Sequence, residues 1–304
     1  MPLKQLRVVE VNKEHTLTGH KDSLYTIAVQ SDSKLLSAGG DGAVVSWDLS
    51  TPDQGRVVAK VDSSIYAIHA EDNELIIAQN FEGIHLVNTE GKAVTNSLKL
   101  TDKSIFDVKK ILGNYWLVTG GGEVLVVDES MRILYRQQHS QENGRCIQYI
   151  QEREEVAVGF SDNTIKIFDA KLFERRWEFD AHGNSVFGLA LTSDSKFLLS
   201  CGRDARFKVW NTDNYTLETE VVAHMYAVNS LDFSPSGQYF VTCSMDKSVK
   251  VWETATFRLL KVIDKARHAG HGTSVNKVKW MSENRIASCS DDRTVSIWSV
   301  KISI

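Results

Sequence analysis

The chain has 304 residues, of which 42% are hydrophobic, 24% charged and only three proline, a composition that supports a sizeable buried core and excludes intrinsic disorder. Thirty-five Lys and Arg against 39 Asp and Glu leave a formal charge of −4, which supplies no bulk attraction to nucleic acid or to an anionic membrane. No run approaches the ~20 apolar residues of a membrane span, and the opening MPLKQLRVVEVNKEH lacks the apolar core of a secretory signal. A cytoplasmic protein with neither nucleic-acid nor membrane partners is therefore expected.

Along the chain, strongly apolar runs end in a recurring pair of residues: Trp47-Asp48, Val87-Asn88, Val127-Asp128, Phe168-Asp169, Trp210-Asn211, Trp252-Glu253 and Trp298-Ser299. The gaps of 40, 40, 41, 42, 42 and 46 residues define seven units and leave no room for a second domain, so residues 1–304 read as one. Within the units apolar residues alternate, as in TIKIFDA (164–170), RFKVWN (206–211) and SVKVWE (248–253), which is the period of a half-buried strand. Turn formers such as Gly40-Asp41-Gly42, Ser161-Asp162-Asn163, Ser234-Pro235-Ser236-Gly237 and Asp291-Asp292 separate the runs. Four short strands fit each unit, no amphipathic helix of ten residues stands out, and the fold class is all-β.

With Gly19-His20 near the start of the first unit and Trp47-Asp48 at its end, the units resemble the WD-repeat (WD40) family across nearly the whole chain. That resemblance implies seven four-stranded blades around an axis, a seven-bladed β-propeller. It also implies a structural tetrad in a blade: a His before the first strand, a Ser or Thr on the second, an Asp in the next turn and a Trp on the third. Carried onto this sequence the tetrads are His20, Ser37, Asp41 and Trp47; His182, Ser200, Asp204 and Trp210; His224, Thr242, Asp246 and Trp252; and His271, Ser288, Asp292 and Trp298. An indole N–H only donates, a hydroxyl does both and a carboxylate only accepts, so a chain from Trp through Ser and His to Asp satisfies every member. Blades two to four depart from the pattern: GIHLVNTEG and GGGEVLVVDES lack the Trp, and blade four keeps Asp162 but has Phe168 in the Trp position.

Only six residues follow Trp298, too few for an outermost strand. A segment within Leu6–Leu17 is expected to pair with the last blade and close the ring, which removes two open sheet edges.

Several chemical motifs have plainer readings. His, Ser and Asp repeated in four blades and ending on a Trp speak for structure rather than a hydrolase triad, which needs one site. The nine histidines show no paired ligand spacing. Cys201, Cys243 and Cys289 each lie three residues before their blade's Asp, and Cys146 falls in the first strand of blade four, so neither metal, disulfide nor cofactor is expected. Gly120-Gly121-Gly122 has no following Lys-Ser or Lys-Thr and reads as a strand turn. The basic run KVIDKARHAGH (261–271) reads as a solvated loop.

Aligning each first strand on its apolar pair gives Leu24/Ile27, Ile65/Ile68, Ile105/Val108, Cys146/Tyr149, Val186/Leu189, Val228/Leu231 and Val275/Val278. The residue after the first member is Tyr25, Tyr66, Phe106, Ile147, Phe187, Asn229 or Asn276; the residue before it in blade four is Arg145. By the resemblance these positions, with the residue before the turn Asp (including Arg203, Met245 and Asp291), flank the top of the central channel. The expected function is a non-catalytic scaffold, monomeric in isolation, whose top face captures a protein or peptide through an apolar anchor and an acidic or phosphorylated group. The alternative is an enzyme or small-ligand binder with a site in the channel, for which no inward-facing cluster of carboxylates or histidines is legible.

Overall fold

A computed structural model describes residues 7–89 and 93–303. The alternating runs form strands of five to ten residues, and the turn formers between them return each strand antiparallel to the last. The strands assemble into seven four-stranded sheets. In blade one, Leu24–Val29, Lys34–Gly39, Ala43–Asp48 and Arg56–Lys60 follow in order from the axis outwards. Each innermost strand lies against that of the next blade, and Val275–Ser282 of blade seven lies against Leu24–Val29 of blade one, so the ring is closed.

The core lies between blades rather than within them. Leu36, Ala38 and Val44 of blade one pack on Ile65, Leu75 and Ile77 of blade two, and six further clusters join the remaining neighbours around the circle. A single twisted sheet of this size has two apolar faces and no means of covering either; stacking on its neighbours buries both.

The first and last strands close the circle. Val8–Leu17 pairs antiparallel with Val295–Ser303 as the outermost strand of blade seven, burying Val9, Val11 and Leu17, with a bulge between Lys13 and His15. Leu6, the first residue of the expected segment, lies outside the described residues. Long side chains fasten the strand: Lys13 Nζ donates to the Ala269 carbonyl at 2.8 Å, and Arg285 Nε to Glu14 at 2.7 Å. The basic run before blade seven differs from a plain loop, because Asp264 accepts from Arg267 N at 2.9 Å and caps a single helical turn, Lys265–His268.

Candidate functional site

The four tetrads are connected side chain to side chain. In blade five, Trp210 Nε1 donates to Ser200 Oγ at 2.8 Å, Ser200 is 2.7 Å from His182 Nε2, and His182 Nδ1 is 3.0 Å from Asp204. The matching Trp–hydroxyl distances in blades one, six and seven are 2.8, 2.9 and 3.0 Å. Each Asp also accepts backbone N–H groups from the loop beside its His, as Asp246 does from Met225, so the tetrad pins two top-face loops together. Burial works against ionisation of Asp246 and Asp292, but hydrogen bonds and charge from His224 and His271 outweigh it and hold both carboxyls well below the usual range.

In blades two to four the Trp and its hydroxyl partner are exchanged together, while blade four keeps the turn Asp162. The strand register places Ile77, Leu117 and Val158 at the hydroxyl position and Val87, Val127 and Phe168 at the Trp position, all buried. Removing donor and acceptor together costs little, whereas removing one strands the other. Other polar groups appear nearby. His85 bridges Gln79 and Ser97 at 2.8 Å each in blade two, and Glu123 holds Arg136 at 2.9 and 3.2 Å in blade three. In blade four the buried Lys166 reaches Asp162, Thr164 and Glu178 at 3.1, 2.8 and 2.8 Å.

At the top of the channel a repeated backbone bond fixes the register in every blade. The residue before the first buried strand residue accepts from the residue before the turn: Ser23 from Gly40, Asn143 from Ser161 and Ser185 from Arg203, for example. Blade four therefore differs from the sequence alignment by two residues: Gly144, not Cys146, matches Leu24. Arg145 then takes the place assigned to Ile147, and Ile147 is buried. The reason is an exchange of sizes. Leu24 pairs with Gly39 and Val186 with Gly202, but Gly144 pairs with Phe160; a Cβ on Gly144 would sit 2.8 Å from Val118 Cβ and 3.5 Å from Phe160. With the large residue on the other strand, the apolar signal vanishes from the first.

After this correction one position per blade surrounds the opening: Tyr25, Tyr66, Phe106, Arg145, Phe187, Asn229 and Asn276 line a shallow depression of about 320 Å³ together with Lys277. Each rim residue sits on a bulge between two paired positions, which turns its side chain out of the sheet towards the axis. Tyr25 meets Tyr66 edge-on at 4.8 Å, and Tyr66 stacks on Phe106 at 5.4 Å. The Arg145 guanidinium lies 4.2 Å from the Phe106 ring centre and 5.4 Å from that of Phe187, and its Nε donates to Ser161 Oγ at 2.7 Å. Burial, with a smaller push from the Arg203 charge, lowers Arg145 from the ordinary guanidinium value. The asparagines differ in kind: Asn229 donates to the Val275 carbonyl at 2.9 Å and Asn276 to that of Leu24 at 2.8 Å, so both amides tie one blade to the next. Arg203, Met245 and Asp291 are exposed above the rim, and Met225 and Tyr226 of blade six are exposed beside them.

Below the rim the channel does hold charged groups that the sequence reading did not place: His69, Asp107, Lys109, Asp232, Lys277 and Lys279. They occupy the two axis-facing positions after the bulge in each first strand, and the spacing Asp107/Lys109 and Lys277/Lys279 was the available signal. Asp107 accepts from Val108 N at 3.0 Å and Ile147 N at 2.9 Å; Asp232 accepts from Lys279 Nζ at 2.6 Å and Trp280 N at 2.8 Å. Both carboxylates thus join neighbouring blades. Burial first, then the Lys109 charge, lower His69 to about 4, and burial lowers Lys109. The cysteines are all buried free thiols, and burial raises each of them.

A closed ring of seven antiparallel blades, four of them held by His–Ser/Thr–Trp–Asp chains, defines a β-propeller. Residues 12–48, 173–211, 215–253 and 264–299 match the family described as WD domain, G-beta repeat, and these segments contain the four tetrads. The chain belongs to the WD-repeat (WD40) family. Among solved structures, the WD40 β-propeller domain of Doa1 superposes with a TM-score of 0.84 over 95% of this chain and 97% of that one, at 21% identity. Curated relatives align over short stretches: Topless-related protein 1 of Arabidopsis thaliana is 34% identical over 21% of this chain and 6% of its own length. DDB1- and CUL4-associated factor 13 of Dictyostelium discoideum is 38% identical over 22% of this chain and 15% of its own length. The chain thus covers only a small part of these relatives.

Proposed function

We propose that this propeller is a non-catalytic scaffold, one domain of seven blades, whose top face takes a protein segment carrying an apolar anchor and an acidic or phosphorylated group. The observation that carries this reading is the continuous line Tyr25, Tyr66, Phe106, Arg145 and Phe187 around five consecutive blades. Rings that are mostly buried but keep one part open at the rim offer a dry platform, and a guanidinium between two of them is partly desolvated yet keeps its terminal N–H groups for a carboxylate or phosphate. Exposed Arg203 adds a second cation, and Met245, Met225 and Tyr226 extend the apolar area outwards. Family membership supports a protein-binding role, and one relative is named as a factor associated with DDB1 and CUL4. Four buried free thiols suit a reducing cytoplasm, and with every sheet edge of the ring built from blades of one chain we take the protein to be monomeric in isolation.

The test is affinity capture from native lysate with wild type, Tyr66→Ala, Arg145→Met and Arg203→Glu, read by mass spectrometry. Partners retained by wild type and lost by the three variants are expected. Undiminished capture by all of them refutes the top-face reading.

A further inference from the structure

The geometry points to a binding site for a single tetrahedral oxyanion of the phosphate class inside the channel, held by Lys109 and Lys277. Both lysines line one space of about 260 Å³, on blades three and seven, below the aromatic rim. Among the described residues neither side chain has a hydrogen bond or an ion pair. The acids that share the space are already engaged: Asp107 by two backbone N–H groups, Asp232 by Lys279 and the Trp280 N–H. Three lysines and two aspartates leave this lining at +1 in a chain whose formal charge is −4.

Like charges facing one narrow, partly desolvated space repel each other: burial lowers Lys109 first, the Asp107 charge opposes that, and the Lys279 and Lys277 charges push it down again. An anion between them removes the repulsion and supplies acceptors to both ammonium groups. The low-dielectric walls strengthen that attraction relative to the surface. The volume suits the size of the guest, since a water occupies about 30 Å³ and one phosphate with a few waters fills the space. His69, close to neutral at pH 7 because it is lowered to about 4, adds no charge but keeps one ring N–H to donate. The site does not rest on the scaffold reading, because neither Arg145 nor Arg203 belongs to it. The phosphate group is either free in solution or carried on a larger molecule that enters through the rim, and Lys277, which lines both spaces, lies on that route.

The experiment titrates inorganic phosphate into the folded protein at constant ionic strength, with chloride as the compensating ion, following melting temperature and the His69 imidazole resonances. A saturable rise in melting temperature is expected, with the His69 midpoint moving upwards as the anion offsets the lysine charges. Lys109→Met and Lys277→Met should each weaken binding about tenfold or more, since a charged hydrogen bond is worth about 1.5–3 kcal/mol. The exposed Lys196→Gln should bind as wild type. A second arm uses a short phosphoserine peptide and its unphosphorylated form. Binding of inorganic phosphate assigns the free ion; binding of the phosphopeptide alone, lost in Lys277→Met, assigns the carried group. No saturable response in either arm overturns the proposal, as does binding that survives both lysine substitutions in variants with wild-type circular dichroism. Should Lys109→Met fail to fold, Lys277→Met and the wild-type His69 titration still decide.

Discussion

Replacing Ser200 with Ala removes the one atom through which two buried side chains are satisfied. Ser200 is fully buried; its hydroxyl accepts from Trp210 at 2.8 Å and donates to His182 at 2.7 Å. A methyl group in its place strands the indole N–H and the imidazole Nε2 together. At about 1–3 kcal/mol for each stranded group, and allowing for shared relaxation, the expected loss is about 2–4 kcal/mol. The informative comparison adds Trp210→Phe. That single change forfeits indole packing, but in the double variant it also removes the stranded donor, so the double should cost about 1–2 kcal/mol less than the sum of the singles. Blades two to four carry the natural version of this exchange, with Ile77/Val87, Leu117/Val127 and Val158/Phe168 in the two positions. The assay is urea unfolding of wild type, both singles and the double, followed by far-UV circular dichroism. A loss below about 0.5 kcal/mol for Ser200→Ala, or strict additivity, refutes the claim that the chain of hydrogen bonds acts as a unit.

Two further outcomes follow from the closure of the ring and from its buried titratable groups. Removing residues 1–15 takes away buried Val9 and Val11 and opens the edge of Val295–Ser303; at about 1.5–3 kcal/mol per buried side chain the loss is about 3–6 kcal/mol, with concentration-dependent self-association in light scattering, and an unchanged melting temperature would contradict the closure. His69 is lowered to about 4 in the folded chain against an ordinary value of 6.5, so between those values the unfolded chain binds a proton that the folded one refuses. Stability therefore falls as pH drops through that window, and His69→Gln should flatten the slope; an NMR midpoint near 6.5 for His69 is the contrary result. The opposite kind of group reinforces the trend at lower pH: Asp246 and Asp292, held low, contribute stability that is present above the unfolded carboxylate value of about 3.9 and lost as pH falls below it.

The departures in blades two to four show how a repeat tolerates change. The polar chain was never the source of the fold, because the clusters between blades continue unbroken through the units that lack it. Blade four goes furthest and buries a cation: Lys166 Nζ lies 4.9 Å from the Phe160 ring centre while bonding Asp162, Thr164 and Glu178. The same Phe160 fills the space that Gly144 vacates, so one large side chain serves both the channel wall and the buried lysine.

Much of this protein was legible in its letters because propeller architecture is written locally. A strand alternates with a period of two, a turn needs Gly, Asp or Asn, and a buried Trp needs its hydroxyl at a constant separation; each signal lies within some forty residues and is repeated, so the blade count, the tetrads and the need for an N-terminal closing strand followed directly. Functional geometry is different, since it is assembled across the axis from single residues about forty positions apart. Arg145 reached its place on the rim only through a pairing in which Gly144 and Phe160 exchange sizes, and a one-dimensional pattern records the missing apolar residue without recording what fills its space. Lys109 and Lys277 are unremarkable alternating residues on two strands until the closing of the circle turns them toward one another. Periodicity decides which side of a strand a residue occupies; only the curvature of the ring decides which residues share the middle.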